Sequence, residues 1–542
     1  MIIQNQLSSA RLAAHSAARK QTETQEPPAP PADEVSLSYL PQNPDLLGVK
    51  HAKVPAGELA DGPSGKRLRV TVPRNFPEAK ASDKGNFLFR PDDPRFDAVN
   101  TYYVAAQTLA MAENYAGRPL PWSFTEELGR EQMLVHPHAG QDTANAFYTA
   151  EGGSINFFSY TGANNEVHRT GLQSDVVAHE TGHAILDALK PVYINSLAVP
   201  AGGFHESFGD MVAMLRALNE ESVVAALKSE TSGDLSGSNL VSRVAEQLGF
   251  DAYGTPALRD AVNDHKFADQ HFLPYYDRKD GSAFGTEAHA YANLFTGAFY
   301  DVFQGLYDLQ NQDPNKSFAQ ALGTARDQAG RLLLRAVEFS PVGNPAYPEV
   351  ALAFLQADQI DTGGQFRPLL EQVFKARKIL TDEDIQGLDA RSLPNISLRG
   401  DVMTEKGADK FLASKRDKLG LPGDVEFSFA QAYKTDKGET FLVWETHRDA
   451  LLDDPDFGMQ EGSKFRGVGG LTLAFDSAGK LMACNYDEVS DREMSDIRDH
   501  LRTTMAAGAL ATDANDHDHS KLHVQVIQDG GPVLQKAPVV YC

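Results

Sequence analysis

The chain contains very few cysteines and no long apolar run. Only two of its 542 residues are cysteine, Cys484 and Cys542, which excludes a small disulfide-rich scaffold. Nowhere do about 18 apolar residues follow one another, so no membrane-spanning helix is expected. Residues 1–25 also lack the apolar core of a signal peptide. Taken alone, these absences predict a cytoplasmic protein.

Positive charge is also scarce. The 50 lysines and arginines face 74 aspartates and glutamates, which leaves a formal net charge of −24 at pH 7. Such a surplus of negative charge argues against nucleic acid and anionic membranes as partners. What the chain does have is apolar content, 42% over its 542 residues, enough to bury the cores of roughly two or three domains. We expect a monomer built from several domains.

One short segment combines two imidazoles with a carboxylate, His179-Glu180-Thr181-Gly182-His183. Its flanks, residues 174–187, have the apolar spacing of a helix, on which residues four apart share one face. His179 and His183 can therefore hold one zinc ion at about 2.0–2.1 Å, and Glu180 can reach a water bound to that ion. Alone, the pattern also occurs by chance on charged helix surfaces.

A catalytic zinc needs a third protein ligand and an open position. Glu206 is the candidate, at the start of a second helical pattern that follows a loop rich in proline and glycine, residues 191–203. Asp210 lies one turn further on, where it can accept the far N–H of a ligating histidine. The alternative is an ordinary acidic first turn, favoured by the helix dipole.

Together, these two segments resemble the thermolysin-like zinc metallopeptidases, whose third ligand is a Glu with an Asp four residues later. The likeness extends over roughly residues 90–380, with every segment in the family order. Its further parts are residues 98–105, which resemble the first long helix; Asn145–Tyr148, the edge strand; 257–259, the arginine segment; and His289 with Tyr300.

The resemblance implies a role for each matching residue. Zinc would be the single catalytic ion, held by His179, His183 and Glu206, with Asp210 behind the first histidine. The remaining roles fall to Glu180 as general base, His289 as donor to the developing oxyanion, Asn145 and Ala146 as backbone partners of an extended peptide, and Arg259 as donor to a substrate carbonyl.

Specificity and calcium binding are less clearly marked. Val176 and Leu258 occupy pocket positions of the family, which predicts a hydrophobic residue just after the cut bond. Tyr193 is the candidate second oxyanion donor, one residue away from the family spacing. Asp175 occupies a calcium position of the family, but Ala217 stands where a second acid is expected, so the sequence does not support a structural calcium.

The expected fold class is α+β, a two-lobed thermolysin-like catalytic region with zinc in the cleft and an appended small α+β domain. The predicted divisions are residues 1–35, a disordered arm with a proline-rich linker; 36–200, an N-terminal lobe of mixed sheet with the zinc helix; 201–382, a helical lobe; and 383–542, a domain of unknown role. In that last domain we predict strands at 426–433, 439–444, 470–475 and 523–527 and a helix at 491–507.

Three functions fit these observations. The first is a zinc endopeptidase acting on peptides or proteins. The second is a zinc aminopeptidase or small-peptide hydrolase, which acidic residues at one end of the cleft would reveal. The third is an inactive, peptidase-derived binding protein, whose expected sign, the loss of a ligand or of the base, is absent from the sequence. The family also suggests export by a non-standard route as the alternative to a cytoplasmic location.

Overall fold

The computed structural model describes residues 34–267, 288–452, 462–506, 523–528 and 531–536. The described chain is a mixed sheet, then a helical region, then a second sheet with helices, which confirms the predicted α+β fold class. The predicted arm lies outside the described residues except for its last two. Residues 513–522 also lie outside the described residues; together with His523 they hold His517 and His519 among aspartates, a pattern that favours a solvated acidic loop over a metal site. None of the described helices is both long and apolar enough to cross a membrane.

The N-terminal region contains a short hairpin and a five-stranded sheet. The strands are β1 (Glu34–Tyr39), β2 (Lys50–Pro55), β3 (Leu68–Val70), β4 (Met133–Gly140), β5 (Ala146–Thr149), β6 (Ser154–Thr161) and β7 (Val167–Arg169). The sheet order is β3-β4-β6-β5, with β7 also paired to β6. β3, β4 and β6 run parallel, while β5 is antiparallel to β6 and forms one edge of the described sheet.

The first long helix, α1 (Pro94–Ala116), packs against this sheet. Its limits are set by local chemistry. The Asp93 side chain accepts a hydrogen bond from the Arg95 N–H at the start, and Pro94 fits the first turn because it has no N–H to satisfy. Gly117, at φ 63°, ends the helix in the left-handed conformation that glycine adopts without strain.

Two helices cross at the centre of the molecule, α3 (Ser174–Leu189) and α4 (Val199–Ala217), with the short α2 (Thr125–Leu128) before them. Every residue of α3 is buried. Close approach depends on two glycines, because a Cβ on Gly182 would lie 3.0 Å from the Gly209 Cα. The prediction that Glu206 begins the second helix is wrong. The helix starts at Val199, with Pro200 in its first turn, where proline is tolerated.

The helical region continues to residue 389. Its elements are α5 (Glu221–Thr231), β8 (Arg243–Val244), α6 (Glu246–Tyr253), β9 (Arg259–Asp260), α7 (Ala288–Asn311), α8 (Phe318–Phe339), α9 (Tyr347–Thr362), α10 (Arg367–Ala376) and α11 (Asp382–Asp389). Most of their buried apolar side chains form one core with the sheet and α3. This shared core holds α3 and α4 in place.

A second sheet follows helix α12 (Glu405–Leu419). Its strands are β10 (Ser428–Lys434), β11 (Thr440–Leu451), β12 (Lys464–Phe475), β13 (Leu481–Asp487), β14 (His523–Gln528) and β15 (Gly531–Lys536), with α13 (Asp491–Ala506) between β13 and β14. The order is β10-β11-β12-β15-β14, with β13 also on β12. Helices α11 and α12, strand β13 and strand β15 were not predicted.

This C-terminal sheet packs directly on the turn that follows α8. The Asn344 N–H donates to the Val468 carbonyl at 3.2 Å, and a Cβ on Gly343 would overlap that same carbonyl. Beside the turn, the Arg335 guanidinium donates to Glu439 at 2.7 Å. The helical region and the C-terminal sheet therefore share a buried, polar contact surface.

Candidate zinc centre

The segment His179–His183 lies in the middle of α3 and is buried on every face of the helix. His179 and His183 are each 3% exposed and Glu180 is fully buried. One possible ligand atom from each of these three residues lies within 4.8 Å of the other two. A single helical turn thus presents two imidazole nitrogens and a carboxylate to the same small volume.

Glu206 comes to the same point from α4. Its Oε2 lies 3.3 Å from His179 Nε2, and its Oε1 lies 3.5 Å from His183 Nε2. A tetrahedral ion with ligand bonds of about 2.0–2.1 Å separates its ligand atoms by about 3.3–3.4 Å. Each of the two contacts, made to a different oxygen of the Glu206 carboxylate, is close to the spacing of neighbouring zinc ligands. Two imidazole nitrogens and a carboxylate are donors that zinc accepts.

The electrostatics of the cluster also favour a cation. Burial by itself lowers the pKa of His179, but hydrogen bonds to the Asp210 and Glu206 carboxylates raise it to about 10. Burial lowers the pKa of His183 well below its usual value. Glu206 shows the reverse balance: burial opposes its ionisation, yet the neighbouring histidines His289 and His183 hold its pKa well below the usual range. Negative charge is concentrated where the nitrogens converge.

Asp210 lies behind His179 and is itself held on several sides. Its Oδ1 is 3.1 Å from His179 Nδ1, the nitrogen that faces away from Glu206. The Arg259 guanidinium donates to it twice, from Nε and Nη2, at 2.8 Å each. Thr296 donates to its Oδ2 at 3.1 Å. Burial would raise the pKa of Asp210, but the Arg259 charge and the contact with His179 together lower it.

Arg259 and His289 both approach the third ligand. Arg259 Nη2 lies 3.8 Å from Glu206 Oε2, and His289 Nε2 lies 3.6 Å from the same oxygen. His289 is in the first described turn of α7, with a quarter of its side chain exposed. Nε and Nη2 of Arg259 donate to Asp210, so the guanidinium is shared between Asp210 and the third ligand. The sequence did not predict this shared use of the guanidinium.

His205 belongs to the cluster but was missed from the sequence. Its Nδ1 lies 2.7 Å from His183 Nδ1, and its side chain is buried. The one available signal was its position beside Glu206, since a residue next to a ligand on a helix can face the neighbouring helix. A histidine next to an acid is too common a pair for that signal to have been decisive.

The strand that was expected to bind substrate is placed beside α3. Asn145 precedes β5, and Ala146 is paired with Phe157 of β6. The Ala146 N–H donates to Asn145 Oδ1 at 2.7 Å, and the Asn145 carbonyl accepts the Thr170 hydroxyl at 3.0 Å. Tyr148 of the same strand donates its hydroxyl to Asp187 Oδ2 of α3 at 2.7 Å. β5 is the outermost strand on this side of the described sheet, the place where an extended chain can be added.

Two other residues turn out to have different partners from those expected. Tyr193 is buried, and its hydroxyl donates to the Pro341 carbonyl at 2.5 Å. It therefore supports the turn after α8, and its prediction as an oxyanion donor is wrong. The Asp175 carboxylate accepts the Ala245 N–H at 2.8 Å, in a bend where Ala245 has φ 53°. A positive φ strains alanine, so this hydrogen bond gives Asp175 a structural role.

Comparison with known proteins agrees with this geometry. Residues 127–381, a little under half of the chain, match the model of the fungalysin metallopeptidase (M36) family. Among solved structures, the precursor of protealysin, a metalloproteinase from Serratia proteamaculans, is similar at 14% identity and a TM-score of 0.38, over 60% of this chain and 88% of that one. So low a score adds no argument. A comparison with curated proteins finds no match. The family match and the convergent His–His–Glu cluster show that residues 127–381 are similar to the fungalysin metallopeptidases and that the protein is a zinc metalloendopeptidase.

Proposed function

We propose that this enzyme cuts internal peptide bonds with Glu180 as the general base. The observation that carries the proposal is the spacing of His179, His183 and Glu206, at 3.3 and 3.5 Å, with Glu180 buried in the same cluster but one residue removed from the ligand positions. A carboxylate held there can take a proton from a water and pass it to the leaving nitrogen.

Zinc, when bound, would lower the pKa of its water toward about 7 and polarise the substrate carbonyl. The protein would do the rest. His289 would donate to the carbonyl oxygen as it gains negative charge, a contact that strengthens in the transition state. Its Nε2 is already within 3.6 Å of the third ligand, so the reacting carbonyl and His289 would meet beside the ion.

An extended peptide would be held by the edge of β5 and by Arg259. Backbone pairing along Asn145 and Ala146 would set the direction of the chain, as when a strand is added to a sheet. Arg259 would donate to a substrate carbonyl from a guanidinium that Asp210 keeps in one orientation. Val176 and the partly buried Leu258 would favour a hydrophobic residue just after the cut bond.

The aminopeptidase alternative has less support. Such an enzyme needs carboxylates that receive the free amine of the substrate. The other acids of α3 and α4 already have partners: Asp175 binds the Ala245 N–H, Asp187 binds Tyr148, and Asp210 binds Arg259. Glu180 and Glu206, the remaining carboxylates of these two helices, have the roles in the zinc site proposed above.

The test is digestion of a mixed peptide library, with zinc content measured on the same samples. We expect Glu180→Gln to retain zinc and to lose activity by roughly a hundred- to ten-thousandfold, since the amide cannot accept the proton. Glu383→Gln, at an exposed position of α11, is the matched control and should equal the wild type. Wild-type protein that holds zinc but releases only N-terminal residues would establish the aminopeptidase, and protein that cuts nothing would leave the inactive binding protein.

A further inference from the structure

The two proposed histidine ligands have chemically different partners behind them. His179 Nδ1 faces the carboxylate of Asp210 at 3.1 Å, whereas His183 Nδ1 faces the imidazole of His205 at 2.7 Å. A carboxylate can only accept a hydrogen bond when ionised, but an imidazole nitrogen either donates or accepts according to its tautomer. The state of His205 therefore decides whether His183 is presented correctly.

The tautomers follow from the geometry. His183 Nε2 faces Glu206 Oε1 at 3.5 Å, so Nε2 is the nitrogen that must carry a lone pair for a metal. The proton of the neutral His183 ring is then on Nδ1. Two nitrogens 2.7 Å apart share one hydrogen, so His205 Nδ1 must accept it. His205 is then the tautomer that carries its own proton on Nε2.

The helix that supplies the third ligand, Glu206, also supplies His205, the partner of His183. His205 and Glu206 are neighbours on α4, so the same turn that brings Glu206 to the cluster also brings the acceptor to His183. The His205 side chain is buried, and water cannot easily replace it. Gly209, one turn later, lies against the His179 ring, so α4 contacts both histidine ligands.

We infer that His205 is a positioning residue of the zinc site, which accepts the Nδ1 hydrogen of His183 and so holds that ring with its Nε2 lone pair toward the ion. The inference rests on the ligand set proposed above. Partners of this kind fix the tautomer and the ring orientation of a ligating histidine, and their loss weakens metal binding roughly ten- to a hundredfold.

Two substitutions of matched shape separate the hydrogen bond from the packing. In His205→Asn, the amide oxygen can occupy the place of Nδ1 and accept the same hydrogen. In His205→Leu, a methyl group occupies that place and cannot. The paired controls are His138→Asn and His138→Leu, at a histidine that is also buried but bonds to the Pro94 carbonyl away from the cluster.

The measurement is zinc affinity of the full-length apoprotein by chelator competition, together with the visible spectrum of the cobalt form. We expect His205→Leu to bind zinc roughly ten- to a hundredfold more weakly, His205→Asn to recover to within about threefold of the wild type, and the two controls to equal it. The cobalt spectrum should change in His205→Leu and not in His205→Asn.

Two results would overturn the inference: wild-type affinity in His205→Leu, or equal weakening in both variants, which would mean that the imidazole itself is needed. His183→Ala serves as the reference that separates this failure from failure of the proposed ligand set. If His183→Ala retains zinc as tightly as the wild type, the proposed zinc site is wrong. If it loses zinc while His205→Leu does not, only the role of His205 is wrong.

Discussion

A single methyl group on Gly209 should disable the zinc site while leaving the fold intact. Gly209 is in α4, and a Cβ there would lie 2.7 Å from both Nδ1 and Cε1 of His179. Ordinary contacts begin at 3.4 Å, so the ring would have to move by about 0.7 Å. Ligand distances in a metal site tolerate only about 0.2 Å. The displacement would also disturb the contact of His179 with Asp210, now 3.1 Å.

The effect on stability should be small because two contributions oppose each other. Alanine favours a helix interior over glycine by about 1 kcal/mol. Overpacking against a ring that can move costs about 1–3 kcal/mol. We therefore expect the apoprotein of Gly209→Ala to be destabilised by no more than about 2 kcal/mol, while its zinc affinity falls at least about tenfold.

The assay is zinc titration of the apoprotein beside its urea unfolding curve. Gly323→Ala is the matched control, because Gly323 is also inside a helix, α8, and a Cβ there has no atom within 4 Å. It should gain about 0.5–1 kcal/mol and bind zinc normally. Wild-type zinc affinity in Gly209→Ala would refute the claim that this glycine sets the position of His179.

Two further predictions concern the surface between the catalytic lobes and the C-terminal sheet. Burial lowers the pKa of Lys190 to about 8 from an ordinary 10.5. Between pH 8 and 10.5 this lysine is therefore protonated in the unfolded chain and neutral in the folded one. Because the unfolded chain then binds more protons, the free energy of unfolding should rise with pH across this range. Lys190→Met should remove that rise. Urea unfolding midpoints of the wild type and the variant, each measured at pH 7.5 and pH 10, test this. An equal change of midpoint in the two proteins would contradict the prediction. Gly343→Ala should cost roughly 3 kcal/mol, the upper end of overpacking, because its Cβ would meet the Val468 carbonyl. The control is Gly423→Ala, because a Cβ at Gly423 has no atom within 4 Å. Limited proteolysis and thermal unfolding would measure the stability of both variants, and equal stability would disprove the close contact at Gly343.

Local patterns carried most of what could be predicted. The helix of His179 and His183 follows from apolar spacing within 16 residues, and the pairing of two ligands four apart is a property of any helix. Strand β11 and helix α13 are similar cases, because the apolar pattern of each is complete within one element. The predicted helix start at Glu206 was wrong for a local reason as well. Pro200, Gly202 and Gly203 are typical of a loop, but here they lie in the first turns of the helix.

The resemblance to a known family supplied Glu206, Arg259 and His289, which no local period marks. It also supplied a wrong role for Tyr193. That residue and its partner, the Pro341 carbonyl, are 148 positions apart, and nothing in the sequence around either residue predicts that the two are in contact. The domain divisions and the proposed substrate residues remain predictions.

The sequence by itself determined the chemistry available: two imidazoles and a carboxylate on one helical turn, a second carboxylate downstream, and too little positive charge for nucleic acid. Tertiary structure decided how those groups meet. The ligand spacing near 3.3 Å, the His205–His183 contact and the bidentate grip of Arg259 on Asp210 all join separate elements. The first two depend on how closely α3 and α4 approach. The packing of Gly182 against Gly209 sets that distance, and no pattern along the sequence shows it.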